Sequence, residues 1–481
     1  MAVLENLEPK AVFHYFEELS HIPHGSGNTK AISDYFVNFA KERGLEYYQD
    51  ALNNVIIIKE ATEGYEAVPP IMIQGHMDMV AVAEKDCPID MTKEGIRLAV
   101  CGDQVYAKGT TLGADDGIAV AYALAILDAD DIAHPRLEVV LTVEEEVGMD
   151  GAREIDLSMC RAKRMLNLDT EEEGYLLAGC AGGATFQVHI PLSYQVYEGM
   201  RYQLRISGLK GGHSGTEIHK ELGNANLLLA RVIGRLMKQD GVHLVSMDGG
   251  KKDNAIPHLA SAILLVEKKA EEMAMEEYKK AQKEILSELR LRDPDAMLDF
   301  DIAGEDDRKA IEDGCAANLL ALIQVMPRGV CAMSPAAEGL VETSLNLGVL
   351  TMTEDEVRLG YAVRSSIGSA KEELLERMKL VCEAYHVSWE LKGVYPGWEY
   401  QKESVLRDMV CRIYREMYGK DMVVQAIHAG VECGFFAEKI EGLDCVSFGP
   451  DIKEAHTPRE NLSIASTGRV YRFLLKLLAM K

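Results

Sequence analysis

Little in this sequence of 481 residues points toward a membrane protein, a disulfide scaffold or a nucleic-acid binder. Its ten cysteines, at 87, 101, 160, 180, 315, 331, 382, 411, 433 and 445, include no Cys-x-x-Cys pair and no scaffold-like spacing, which predicts reduced thiols used mostly as core filler. No apolar run approaches a membrane span, and the opening MAVLENLEPKAVF has neither a basic start nor the apolar stretch of a signal peptide. A cytoplasmic location is the expectation. Basic residues are scarce, with 51 Lys plus Arg against 77 Asp plus Glu and a formal net charge of -26, which argues against a nucleic-acid or anionic-membrane surface. The partner expected instead is a small molecule or a cation. Gly-x-Ser-x-Gly, His-Glu-x-x-His and Walker-type loops are also missing.

What is present is enough apolar residue, 47%, to build large cores, and a length that predicts two domains or one domain with an insertion. The organising stretch is IMIQGHMDMV at 71–80, where a short apolar run ends at Gly75 and is followed by His76 and Asp78. It reads as a buried strand, and residues two apart at its end point the same way into whatever crevice lies at the carboxyl edge of the sheet. Other segments end alike. A strand over Leu137 to Thr142 runs into Glu144-Glu145-Glu146, one over Arg164 to Leu168 into Asp169, and one over Cys445 to Phe448 into a loop with His456. The loop Gly109 to Gly113 leads into Asp115-Asp116 at the start of an apolar helix, where the dipole favours negative charge. Glu171 to Glu173 reads as exposed face.

From about residue 184 strands alternate with charged helices, at Glu267 to Arg292, Asp307 to Val325 and Lys371 to His386, predicting an inserted α+β domain over 187–399 within a catalytic domain of 1–186 and 400–481. The expected class is α/β, a mixed-sheet catalytic domain carrying that insertion.

Asp78, Asp115, Glu145, Glu146 and Asp169 at one sheet edge would repel strongly without counter-charge. Two histidines with several carboxylates and no cysteine form a ligand set for Zn²⁺ or a similar ion such as Mn²⁺ or Co²⁺. So many ligands suit two ions sharing a carboxylate, roughly 3.5 to 4 Å apart. Adjacent Glu145 and Glu146 diverge, so one can bind metal while the other serves as general base, and Asp78 is placed to hold the far nitrogen of His76.

The motifs GHMDMV, TLGADDGIAVAYAL, TVEEEVGMDGA, NLDTEEEG, HAGVECG and GPDIKEAHTPRE together resemble the aminoacyl-histidine dipeptidase (Xaa-His dipeptidase, peptidase D) branch of the co-catalytic zinc metallopeptidases, which also include tripeptidase T and carnosinases. The resemblance spans nearly the whole chain. It implies that His76, Asp115 and Asp169 bind one ion, that Asp115, Glu146 and His456 bind the other, and that Glu145 is the base. It implies a lid domain that mediates homodimerisation, with His213 of GGHSG stabilising the oxyanion and Arg364 gripping a substrate carboxylate. Asn254 sits in a similar Asn-Ala-Ile-Pro pattern, and His428 and Glu432 match a family loop. The expected activity is hydrolysis of Xaa-His and related dipeptides by attack of a metal-bridging water. Competing expectations are an aminoacylase, deacetylase or tripeptidase of the same clan, or a metal-binding protein without catalysis.

Overall fold

The computed structural model describes residues 2–304 and 309–481. The chain divides into two compact units, one of Met1–Gly179, Trp398–Ala426 and Val431–Lys481, the other of Cys180–Gly397 with Ile427–Gly430. The architecture is mixed α/β with several sheets.

The first unit is built on an eight-stranded mixed sheet in the order Glu46–Gln49, Val55–Lys59, Leu137–Thr142, Ile71–His76, Arg164–Asn167, Asp444–Ser447, Tyr175–Cys180 and Val423–Ile427. Its four central strands run parallel, with His76 opposite Thr142, Gln74 opposite Asn167 and Ser447 opposite Asn167. Parallel strands need helical covers on both faces, which is why Ile71–His76 and Leu137–Thr142 are buried at every position. One cover is the helix Ala114–Asp128, apolar all round and buried from Ala114 to Leu127. The amphipathic helices Lys10–Ser20, Lys30–Glu42, Val405–Tyr418 and Ile464–Leu478 complete the layers. Phe13, Phe16, Phe36, Phe448 and Phe473 lie fully buried between them, each worth about 1.5–3 kcal/mol over an exposed position.

Because the central strands are parallel, all their carboxyl ends lie at one edge. The loops after His76, Thr142, Asn167 and Ser447 therefore converge there. A separate four-stranded sheet, Ile452–Lys453, Asn461–Ser463, Gln104–Ala107 and Leu98–Cys101, holds the segment after the last of these strands as a hairpin with His456 in its loop.

The second unit carries a nine-stranded antiparallel sheet, with helices Ala225–Leu236, Glu271–Leu289, Asp313–Val325 and Gly368–Ala384 over a second hydrophobic core. Its first strand starts at Gly182 rather than 187, since Gly182 already pairs with Ser365. Residues 427–430 also belong to it, although they lie in the stretch 400–481 that local pattern groups with the first unit; Ala181 N–H donates to the carbonyls of Ile427 and Ala429. The helix expected from 307 begins at Asp313, preceded by the strand Lys309–Ile311; residues 307 and 308 lie outside the described residues.

Candidate metal centre

At the carboxyl edge of the first unit's sheet, Asp115 stands between two imidazoles. Its Oδ1 is 3.2 Å from His76 Nε2 and its Oδ2 is 2.9 Å from His456 Nε2. One carboxylate oxygen for each ring is the arrangement of a shared ligand. Asp169 Oδ1 lies 3.7 Å from His76 Nε2 on one side, and Glu146 Oε1 lies 3.0 Å from His456 Nε2 on the other. Glu146 Oε1 is buried and makes no well-formed hydrogen bond despite that ion pair. Among the described residues, three groups have ligand atoms within 4.8 Å of one another: His76, Asp116 and Asp169; His76, Glu145 and Glu146; Asp115, Glu146 and His456. Asp116 is thus near the first pair, but its Oδ2 accepts the main-chain N–H of His76 at 3.2 Å and packs where Gly75 leaves room, a Cβ there falling 2.5 Å from it. Asp115 has both oxygens facing histidines, so it is the better bridge.

The helix that begins at Ala114 does not hold the two acids in its first turn. Asp115 and Asp116 have non-helical backbone, φ −83°, ψ 106° and φ −111°, ψ 27°, so regular helix follows them and the dipole accounts for less than the expectation gave it. Elsewhere the backbone enters the left-handed region at Glu144, φ 61°, and at His456, φ 62°, conformations that non-glycine residues hold only when their surroundings impose them.

Titration follows from burial and neighbours. Burial pushes Glu145 well above the carboxylate range and Asp169 up to about 7, His76 partly offsetting the latter. Burial acts on Asp115 too, but bonds to His456 and His76 hold it well below its ordinary value. Bonds to Asp115 and Glu146 push His456 up to about 11. Burial opposes the charge on His76, yet Asp115, Asp169 and Asp78 hold it well above 6.5. Protons thus stand in for cations, which is the fit expected of a divalent-ion site built from hard oxygen and imidazole donors.

Asp78 differs from its expected part. The far nitrogen of His76, Nδ1, bonds the main-chain oxygen of Asp78 at 2.9 Å, while the carboxylate stands 3.6 Å away. That carboxylate instead accepts from Ser26 Oγ at 2.8 Å, Glu145 N–H at 3.2 Å and Glu146 N–H at 3.4 Å, so it fixes the turn carrying both glutamates. Glu144 accepts Gly27 N–H at 2.8 Å and clasps the same turn from outside. Glu173, expected on an exposed face with Glu171 and Glu172, is instead paired bidentately with Arg469 at 2.6 and 2.7 Å, where its side chain is 10% exposed.

Behind the metal residues lies a buried polar set. Glu432 Oε2 accepts from Gln74 Nε2 at 2.6 Å and Thr142 Oγ1 at 2.7 Å, and Asn167 Nδ2 donates to Gln74 Oε1 at 2.6 Å. Gln74 interrupts the apolar run of its strand, and Thr142 and Asn167 are the polar last residues of theirs, which is the sequence signal for it.

In the second unit, His213, Arg364 and His428 surround Gly215, where a Cβ would come 3.0 Å from His213 Cε1, 3.2 Å from Arg364 Nε and 2.2 Å from the His428 carbonyl. Arg364 Nη1 donates to Tyr395 Oη at 2.9 Å, and its buried Nε has no hydrogen-bond acceptor. His428 Nε2 bonds Ser344 Oγ at 2.7 Å while burial, with Arg364 and His213 adding, drives the ring down to about 3. His213 Nδ1 accepts from Gly215 N–H at 3.3 Å and Thr216 N–H at 3.1 Å, which leaves the ring proton on Nε2. Asn254 is exposed, and its carbonyl receives Ser214 N–H at 2.8 Å.

Cytosol non-specific dipeptidase of Escherichia coli (strain K12) is 37% identical over 480 residues, covering 99% of each chain. The crystal structure of aminoacylhistidine dipeptidase from Vibrio alginolyticus superposes with a TM-score of 0.93 at 34% identity, covering 99% of this chain and 97% of that one. Aminopeptidase PepT from Bacillus cereus, at 15% identity and a TM-score of 0.57 over 98% of both chains, shares the fold. With its residues 72–480 matching the model of peptidase family M20/M25/M40, the chain belongs to that family of peptidases.

Proposed function

We propose that the protein is a dinuclear metal-dependent dipeptidase acting on Xaa-His and related dipeptides. The observation that carries this is Asp115 shared between His76 and His456. His76, Asp115 and Asp169 would hold one ion, and Asp115, Glu146 and His456 the other, with Zn²⁺ favoured by the donor set and Mn²⁺ or Co²⁺ as alternatives. Two such ions would supply Lewis-acid polarisation of the scissile carbonyl and a water acidic enough to react at neutral pH.

The chain's own residues do the rest. Glu145, its carboxylate free of ligand duty, takes a proton from the attacking water and returns it to the leaving amine. Asp78, through its bonds to the N–H groups of Glu145 and Glu146, keeps the base and its neighbouring ligand in register. For the second unit the proposal assigns substrate contacts: Arg364 to a carboxylate, His213 through its Nε2–H to the carbonyl oxygen as charge develops, and Asn254 and His428 to the same substrate.

Self-association through the second unit belongs to this reading. Trp389 and Val394 are exposed on the edge strand Ser388–Tyr395 of its sheet, 36% and 43% respectively, and sedimentation gives the state directly. Ten free thiols and the name of the Escherichia coli relative support a cytoplasmic setting; among the described residues no helix is long and apolar enough to cross a membrane. Hydrolysis of Xaa-His, Xaa-Leu, tripeptides and N-acyl amino acids, before and after chelation, tests the activity. Preference for dipeptides is the expected result, and equal or faster turnover of tripeptides or N-acyl amino acids would overturn the substrate class.

A further inference from the structure

We infer that Glu460 is a positioning residue for the metal pair, clamping the segment that carries Asp115 to the segment that carries His456. Its side chain is 2% exposed, and its two oxygens accept four consecutive main-chain N–H groups. Oε2 takes those of Leu112 at 2.9 Å and Gly113 at 3.1 Å; Oε1 takes those of Ala114 at 2.7 Å and Asp115 at 3.3 Å.

Two physical consequences follow. The backbone at 112–115 is irregular, with Gly113 at φ 69° and Asp115 outside helical geometry, so its N–H groups have no turn of helix or strand ladder to satisfy them. A single buried carboxylate does so with both of its oxygens. Glu460 also lies four residues after His456 in the hairpin loop between Ile452–Lys453 and Asn461–Ser463. The two residues whose atoms stand 2.9 Å apart, Asp115 Oδ2 and His456 Nε2, are therefore tied a second time through their backbones, across a separation of more than 300 residues.

Among the described residues no such carboxylate clamp links His76 to Asp169, whose positions come from adjacent parallel strands of the sheet. The clamp thus acts mainly on the ion held by Asp115, Glu146 and His456. Asp115 is common to both ions, but the other site retains two ligands set by the sheet.

This inference rests on the dinuclear reading above, and the test separates the two. Metal-free wild-type and Glu460→Gln protein are titrated with Zn²⁺ and with Mn²⁺ by calorimetry, with thermal unfolding of the metal-free forms recorded alongside. The amide keeps one acceptor oxygen and turns an NH₂ toward the remaining donors. Expected is one binding step loosened about 10- to 100-fold, with the other changed far less, so that the ratio of the two dissociation constants changes. Turnover falls at limiting metal and recovers as metal is raised. Glu460→Asp, which keeps charge and both oxygens on a shorter arm, restores part of the ratio, and gives the same comparison if the amide variant does not fold. An unchanged ratio, with or without a lowered unfolding temperature, makes Glu460 a cap on the chain and overturns the inference. Wild-type protein that binds no pair of ions overturns the dinuclear reading itself.

Discussion

Replacing Glu432 by Gln is expected to stabilise the metal-free protein at neutral pH, which few substitutions of a fully buried charged residue do. The side chain is 0% exposed, and only Oε2 finds donors, in Gln74 and Thr142, while Oε1 has none. Burial raises its titration from 4.5 to about 7, with Asp169 and Asp78 adding and His76 and Thr142 opposing. The folded protein thus keeps a proton that the unfolded chain releases near its ordinary value. The stabilisation is complete below pH 4.5 and is lost as pH rises through about 7. At ~1.4 kcal/mol per pH unit, the span amounts to about 3 kcal/mol. Gln mimics the protonated acid, accepts the same two bonds and has no proton to lose. Its stability relative to wild type should therefore climb by about 3 kcal/mol between pH 4.5 and 7.5, whatever fixed offset the amide introduces. Urea unfolding in chelator across this range measures it, following the transition that added metal shifts. Bound cations beside Glu432 would hold it ionised, so the difference should shrink when metal is restored. Parallel pH profiles for the two metal-free proteins would refute the reasoning.

Glu145→Gln should bind metal as wild type does yet lose about 10²–10⁴ in turnover, the range for a general base; wild-type turnover would remove Glu145 from that role. Arg364→Ala should raise KM about ten- to a hundredfold for dipeptides with a free carboxylate, and change little for their amides, as loss of a charged hydrogen bond predicts; equal effects on both would place the guanidinium elsewhere. His76 and His456 are both held protonated without metal, the latter to about 11, and Glu145 and Asp169 are raised as well, so loading at pH 7 should expel at least two protons per chain and weaken with acidification. Calorimetry in buffers of different ionisation enthalpy reads the proton count, and a value near zero contradicts the assignment.

The residues of the candidate metal site were legible as a cluster because parallel strands make local pattern and location coincide. A short apolar run that stops at a polar residue is a buried strand reaching an edge; His76 ends one such strand, and Glu145, Glu146 and Asp169 lie just past the ends of two others. Their convergence is also an electrostatic statement, since acids so placed need counter-charge. Features that depend on pairing far along the chain were not legible. Glu460 lies in a plain Thr-Pro-Arg-Glu loop, and its partners stand nearly 350 residues earlier, as in the 348 that separate it from Leu112. Asp78 was read from alternation of side chains along an extended chain, but its carboxylate turns toward Ser26 and the N–H groups of Glu145 and Glu146, leaving its own carbonyl to meet the His76 ring. Glu173 reads as solvated by composition and is paired only because the helix Ile464–Leu478 presents Arg469. The grouping of 427–430 with the second unit likewise rests on bonds from Ala181, which no local periodicity encodes.

The account's central claim is that acids from four separate segments crowd together because two divalent cations neutralise them. Metal content per chain by mass spectrometry, on protein purified without chelator and on its His456→Ala variant, addresses it most directly. Two ions in the wild type and one in the variant are predicted. A wild-type chain that holds no divalent ion, and hydrolyses dipeptides undiminished after chelation, would contradict it.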